Sequence, residues 1–273
     1  MNQSISAVTV TYFSDLSLLR ALLWSVYKAA DELHERTGIT FTFYIIDNSQ
    51  DNDYFWGLES LFFEVKDNDF FTLHIHKPKK NLGFSGGNNF VIDRLVSDLH
   101  LVINPDVIVE SNSLCMVEKY FRENENVAMI APKIVNGVGV KHSIKTYPDS
   151  FTLLLRYLDL PFLNRFFAAR LGRYQCDSLT NEADGDVSLA GGCFLVLKTK
   201  VFKELKGFDD HFFMYFEDYD LSIRARSYGN IAYVPDVKIE HMGGFVREKT
   251  IKHHVFFAVS ALKFSMRHGW KLW

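Results

Sequence analysis

The chain has 273 residues, of which 48% are apolar and 23% charged, an ordinary globular composition that excludes wholesale disorder and an integral membrane class. Its formal net charge of −3 excludes a basic surface of the kind that binds nucleic acid by neutralising phosphates. Three widely spaced cysteines, Cys115, Cys176 and Cys193, exclude a disulfide framework or a cysteine zinc site and suit a reducing compartment.

The polar start, Met1 to Ser6, lacks the basic and apolar blocks of a signal peptide, so export is not expected. The first 135 residues then alternate short β-rich runs with amphipathic helical patterns. Ala7 to Tyr12 reads as a buried strand, followed by a helical stripe of Leu18, Leu19, Leu22, Leu23, Val26, Tyr27, Ala30 and Leu33. Phe41 to Ile46, Thr72 to Ile75, Leu101 to Ile103 and Val127 to Ile130 repeat the strand signal. Helical patterns at Tyr54 to Phe63, Asn88 to Val96 and Leu114 to Phe121 separate them. This alternation predicts an α/β fold with a mostly parallel sheet flanked by helices.

From Pro132 to Ser188 the pattern loosens, and Phe151 to Tyr174 predicts an amphipathic helix or pair of helices. Val187 to Leu197 reads as a strand interrupted by Gly191 and Gly192. The acidic and aromatic loop Gly207 to Asp220 leads into a short helix, and strands are expected near Ile231 to Val234 and Val237 to His241. Thr250 to His268 predicts a further amphipathic helix. The expected organisation is one large domain over 1–241 and a helical C-terminal extension over 242–273. No run of eighteen apolar residues is present to suggest a spanning helix.

In parallel sheets ligands collect beyond the carboxyl ends of the strands. Those ends here carry Thr11 and Tyr12, Asp47 and Asn48, Asn81 to Asn89, and Asn104 to Asp106. Asn, Asp and Gly also dominate turns, so each cluster taken singly has two readings. Asn81-Leu-Gly-Phe-Ser-Gly-Gly-Asn-Asn89 is either a strand-to-helix turn or a loop whose backbone approaches a diphosphate at a helix N-terminus. It has neither the P-loop nor the dinucleotide glycine spacing. Asp106, after Pro105, is either a turn residue or an oxygen ligand for Mg²⁺ or Mn²⁺. In Gly207 to Asp220 five carboxylates are interleaved with aromatic rings. Glu217 and Asp218 either open a helix whose dipole favours acids, or sit against an aromatic wall that raises a pKa and holds a general base.

Taken together, these segments resemble the inverting glycosyltransferases of family 2, in particular the bacterial rhamnosyltransferase-like branch that builds O-antigen and related glycans. The matching stretches are Val8 to Tyr12, Tyr44 to Ser49, Asn81 to Asn89, Ile103 to Val107, Ala190 to Leu197, Gly207 to Arg224 and His241, in the family's order. The resemblance implies a GT-A, Rossmann-like fold with a nucleotide-sugar-binding half at 1–135 and an acceptor-side half at 136–241. It implies donor contacts from Thr11, Tyr12, Asp47, Asn81, Gly83, Phe84, Gly86, Gly87, Asn104, Gly191 and Gly192. It further implies Mg²⁺ or Mn²⁺ at Asp106 and His241, and Asp218 as the base, with Glu217 and Asp220 orienting it or holding acceptor hydroxyls. Two departures are visible: Phe13 stands where many relatives have asparagine, and Asn104-Pro105-Asp106 replaces a pair of aspartates flanking one residue.

The implied donor is dTDP-rhamnose, with a UDP-sugar as the alternative, and the implied acceptor is a glycan on polyprenyl diphosphate. Lys249, Lys252, Lys263, Arg267 and Lys271 alternate in the tail with Val255, Phe256, Phe257, Val259, Leu262, Phe264, Trp270 and Trp273. That pattern suits a membrane interface, here the cytoplasmic face of the inner membrane, or else packing on the core or a homodimer seam. A glycosidase using two of the acids and a non-catalytic nucleotide-sugar or glycan binder are the competing functions.

Overall fold

Strand β1 (Ser4–Thr11) is buried along most of its length, as expected of a strand covered on both faces. Helix α1 (Leu16–Thr37) starts where the Asp15 carboxylate accepts the Ser17 amide at 2.7 Å, and ends at Gly38, whose φ of 74° suits a residue without Cβ. Its Leu19, Leu22, Leu23, Val26, Ala29, Ala30 and Leu33 are buried against the sheet, which is the face that the periodicity predicts. There follow β2 (Thr40–Asp47), α2 (Asn52–Phe62), β3 (Phe71–His76), α3 (Gly83–Asn89), a 3₁₀ turn at Ile92–Arg94, β4 (Leu99–Ile103), β5 (Val107–Val109), α4 (Ser113–Glu123) and β6 (Val127–Asn136). The computed structural model describes residues 4–272 apart from 63, 64, 66, 67, 137, 138, 178, 180–182 and 243–250.

The second half runs through β7 (Gly139–His142), β8 (Ile144–Lys145), α5 (Ser150–Leu158), α6 (Pro161–Phe166), α7 (Ala168–Tyr174), β9 (Gly185–Asp186), β10 (Leu189–Ala190), β11 (Phe194–Lys198), α8 (Thr199–Glu204), α9 (Glu217–Ala225), β12 (Asn230–His241) and α10 (Ile251–His268). The stretch expected as one or two helices is three, α5 to α7. Asp159 leaves α5 with φ 45°, and Pro161 starts α6, because proline cannot continue a helix but suits its first turn. In place of the helix expected at Asn88 to Val96, α3 lies inside the glycine loop and ends at Asn89, followed by the 3₁₀ turn; the Asn81 carboxamide oxygen accepts the Gly83 amide at 2.8 Å.

The main sheet has the order β3-β2-β1-β4-β11-β6-β12-β5. β1 pairs in parallel with β2 and β4, and β2 with β3. β11 runs antiparallel between β4 and β6. β12 lies parallel to β6 and antiparallel to β5, with His241 opposite Val107. The strands expected separately near 231–234 and 237–241 are this single strand, irregular between Val234 and Lys238.

Alternate residues of each strand feed two cores. Phe194 and Val196 of β11 face the layer of α1, while Leu195 and Leu197 face the layer holding Phe202, Phe208 and Leu221. A third, aromatic cluster unites Phe212 and Phe216 with Phe264 of α10, flanked by Phe257 and Ala261. Burying each of these rings contributes roughly 1.5–3 kcal/mol, so the helical extension is docked on the acidic loop.

Candidate functional site

The donor-side residues meet at the carboxyl ends of β1 and β2. Thr11 and Asp47 are paired across these strands. The Thr11 side chain is fully buried, with its hydroxyl hydrogen-bonded to that of Tyr54, so it braces this edge instead of presenting itself to a ligand. Asp47 is buried as well; one oxygen accepts the Ser49 amide at 2.8 Å, and Oδ2 has no partner among the described residues. A buried acceptor without a donor is rare, and it marks a place for an N–H or O–H from elsewhere. Beside it Tyr12 and Phe13 are exposed, and the Phe13 ring lies 5.4 Å from that of Tyr54. These rings offer a stacking shelf next to the orphaned acceptor.

Asn48 ties β2 to the glycine loop, donating to the Gly83 carbonyl at 2.9 Å and accepting the Leu82 amide at 3.3 Å. Two of the loop's glycines are explained by packing. Gly83 has φ 69° and a Cβ there would meet the Phe213 ring at 2.7 Å, while a Cβ on Gly87 would meet Val10 at 2.7 Å. Phe84 donates its amide to Phe213 at 3.2 Å, so the loop is also joined to the acidic segment. Gly86 faces Leu82.

The β12–β5 pairing carries His241 to Asp106, with His241 Nε2 3.2 Å from Asp106 Oδ1. The Met242 amide donates to the Asp106 carbonyl at 2.9 Å and holds the register. Oδ1 itself is buried without a hydrogen-bond partner. An imidazole nitrogen beside an unpartnered carboxylate oxygen fits a hard divalent cation that takes its other ligands from phosphate and water. Among the described residues, no group of three histidine, cysteine or acidic side chains forms a complete cage.

Asp218 lies across a short bridge from this pair. The Gly192 amide donates to Asp218 Oδ2 at 2.8 Å, and the carbonyl of the next residue, Cys193, accepts the Asn104 amide at 2.9 Å. One dipeptide therefore touches both the base candidate and the strand exit that carries Asp106. Burial, reinforced by the charges of Asp106 and Asp218, pushes the Cys193 thiol up to about 12. A Cβ on Gly192 would meet the Asp218 Cβ at 3.3 Å, and one on Gly191 the Ser143 carbonyl at 2.9 Å, so this approach needs both glycines.

Burial raises Asp218 to about 6 despite the amides of Gly192 and Tyr219 that favour its charged form. Glu217 is raised well above the carboxylate range by burial and by the neighbouring Asp218 charge, and its Oε2 has no partner among the described residues. Two carboxyl groups in one dry site resist ionising together, which leaves one proton donor and one acceptor near neutrality. A cavity of about 220 Å³ opens beside them, walled by α5, α7 and α10.

Asp220 occupies a different place from the one expected. It is fully buried, and its oxygens accept Arg224 Nε at 2.7 Å and His268 Nε2 at 2.8 Å, with Arg267 Nε at 3.2 Å. Its carboxylate is thereby engaged in clamping α10 to α9, and holding acceptor hydroxyls is not open to it. The sequence reading also missed Tyr54 and the cavity's Arg156. Neither sits in a turn-like cluster, and only the folded chain reveals their neighbours.

The sequence profile of the Glycosyltransferase like family 2 matches residues 75–261, more than half of the chain. The chain belongs to this family. The chain is 26% identical over 228 residues to the low-salt glycan biosynthesis hexosyltransferase Agl10 of Haloferax volcanii, covering 80% of this chain and 64% of that protein. It thus spans less than two thirds of that relative's length. In structure it resembles GalNAc-T7 with UDP, GalNAc and Mn²⁺ (TM-score 0.62, 13% identity, 88% of this chain and 44% of the other). It also resembles the mannosyltransferase PcManGT of Pyrobaculum calidifontis with GDP-Man and Mn²⁺ (TM-score 0.60, 12% identity, 90% and 59%). A third likeness is to residues 1–349 of S. aureus TarS with UDP-GlcNAc (TM-score 0.56, 15% identity, 96% and 67%). These likenesses establish the chain's fold as that of the GT-A glycosyltransferases.

Proposed function

We propose that this protein is a metal-dependent inverting glycosyltransferase that moves one hexose from a nucleoside-diphosphate donor to a hydroxyl of a glycan acceptor. The observation that carries the reading is the Gly192–Cys193 bridge, which sets Asp218 on one side and the Asp106 and His241 pair on the other. In this reading Asp218 accepts the proton of the attacking acceptor hydroxyl, and Glu217 keeps its own proton and supplies a hydrogen bond. Asp106 and His241 would hold Mg²⁺ or Mn²⁺, which supplies positive charge for the departing diphosphate. Asp47 would accept a base N–H, with Tyr12 and Phe13 beside the base. Asn81, Gly83, Phe84, Gly86, Gly87 and Asn104 would surround the diphosphate, and Gly191 and Gly192 the donor sugar.

A dTDP-rhamnose donor follows from the rhamnosyltransferase-like resemblance, and a UDP-hexose is the second reading. The nucleotide sugars bound by the solved neighbours support the general donor class. The test is a thermal-shift panel of nucleotide sugars with and without Mn²⁺. A ligand at a hundred times its dissociation constant should stabilise the protein by about 2.7 kcal/mol, and product from the cognate donor should carry the inverted anomer. A flat panel would sink the assignment.

A polyprenyl-diphosphate acceptor at the cytoplasmic face of a membrane is the favoured acceptor reading. No helix among the described residues is long and apolar enough to cross a membrane. One face of α10 is in the aromatic core, while Val255, Val259, Leu262 and Met266 (72% exposed) lie on the surface, as does Phe166 (81% exposed) of α6. The tail's cations are less free than its sequence suggested. Lys263 donates to the His211 carbonyl, Arg267 pairs with Asp209 and Asp220, and Lys271 lies over the Tyr147 ring. Lys249 and Trp273, and the side chain of Lys252, lie outside the described residues. Among the described residues of the tail, apolar side chains therefore offer the surface contact. Leu262→Glu with Met266→Glu is expected to abolish flotation with anionic liposomes without altering fold or mass. A concentration-dependent dimer broken by the same pair would assign this face to a second copy instead.

A further inference from the structure

The cavity beside Asp218 is uneven in charge. Glu217 and Asp218 stand at one end, and Arg156 of α5 with His253 and His254 of α10 stand on the walls. Three nearby guanidinium groups are matched, Arg170 by Asp149 and both Arg224 and Arg267 by Asp220. Arg156 is different. It lies over the Tyr174 ring, 5.3 Å from its centre, and no carboxylate pairs with it among the described residues. Its charge reaches Lys145, whose amine is pushed down to about 8, first by burial and then by Arg156. Arg156 is thus the cavity-lining cation without a paired carboxylate among the described residues. His253 is held through Nδ1 by the Tyr215 hydroxyl at 3.0 Å, so its other nitrogen is directed elsewhere. Tyr157 and Phe257 stack with centres 6.1 Å apart and give the same cavity an apolar face suited to a sugar ring.

The geometry points to an anionic acceptor: a hexose bearing a carboxylate or phosphate within one ring of the hydroxyl offered to Asp218, its charge read by Arg156. A cavity of about 220 Å³ accommodates one such ring and little more, which places the anion close to the reacting hydroxyl. Planar guanidinium matches either oxyanion through two parallel hydrogen bonds. This inference deepens the transferase reading, because it takes the Asp218 cavity as the acceptor side.

The test is equilibrium binding, without donor, of glucuronic acid, glucose 1-phosphate and methyl glucoside to the whole protein. The wild type is expected to bind at least one of the two anions about tenfold or more tighter than methyl glucoside, the worth of a charge-assisted hydrogen bond. Arg156→Gln should erase that preference, and Arg156→Lys should keep part of it. Preference for glucuronic acid assigns an acidic sugar, and preference for glucose 1-phosphate assigns a phosphorylated or phospholipid-linked one. Should Arg156→Gln fail to fold, His254→Asn is expected to weaken the anion preference by a smaller factor. Equal binding of anions and neutral sugar by the wild type, failure of every sugar to bind, or a preference untouched by Arg156→Gln would overturn the proposal. Nucleotide-induced thermal shifts that persist in that case would leave the donor assignment standing, and their absence would remove the transferase reading by itself.

Discussion

Asp218→Asn is expected to lower transfer by roughly 10²–10⁴-fold, the usual share of a positioned general base, while nucleotide affinity stays close to that of the wild type. Asparagine keeps an oxygen for the Gly192 amide, which Asp218 Oδ2 accepts at 2.8 Å, so the bridge toward Asp106 should survive. The pH profile supplies a second readout. Burial sets Asp218 near 6, and a base works only when deprotonated, so kcat/KM should rise with pH through an apparent midpoint near 6 and level off above it. Glu217 is raised by burial and by the Asp218 charge. The two groups titrate as a pair, and the midpoint belongs to the pair. Asp218→Asn should abolish the rising limb along with the rate. If turnover and nucleotide binding were lost together, or transfer were unaffected, Asp218 would not be the base.

The second large effect is expected at the other end of the bridge. Asp106→Ala should weaken Mn²⁺-dependent binding of UDP or dTDP by roughly tenfold to a hundredfold, about 1.4–2.8 kcal/mol, and leave metal-free binding nearly unchanged. His241→Ala should behave similarly. Their atoms lie 3.2 Å apart, so the double variant should lose less than the sum of the two, as neighbours sharing a ligand do. Calorimetry with and without Mn²⁺ measures all of these terms. A Mn²⁺ response that survives in both single variants would show that the cation is held elsewhere.

Much of the candidate site was legible before folding, though unequally. Asp106 and Asp218 stand out by position, at a strand exit and within an aromatic loop, although turn chemistry and the helix dipole also account for an acid at each place. His241 is weaker, since one imidazole among ten histidines carries no local signature. What raises it is the pairing of β12 with β5, a contact between segments more than a hundred residues apart. Asp220 shows the opposite outcome. It shares the acidic run with Asp218, two positions along one helix, and that separation turns it toward Arg224, Arg267 and His268 and away from the cavity. Composition treats the two aspartates alike; helix geometry separates them.

Short-range periodicity sufficed for the strands at β1, β2, β3 and β4 and for the buried stripe of α1, because side-chain direction follows directly from the 2.0 and 3.6 residue repeats. The turn and glycine signals likewise located the strand exits where a ligand would collect. Tertiary structure alone decided which exits meet. It inserted β11 antiparallel between β4 and β6, so that Gly192 and Cys193 come to lie between Asp218 and Asp106, and it folded α10 back onto Phe212 and Phe216 to wall the cavity with Arg156 and two histidines. Such pairings are set by summed burial and hydrogen bonding over distant segments, quantities that no local window of sequence contains.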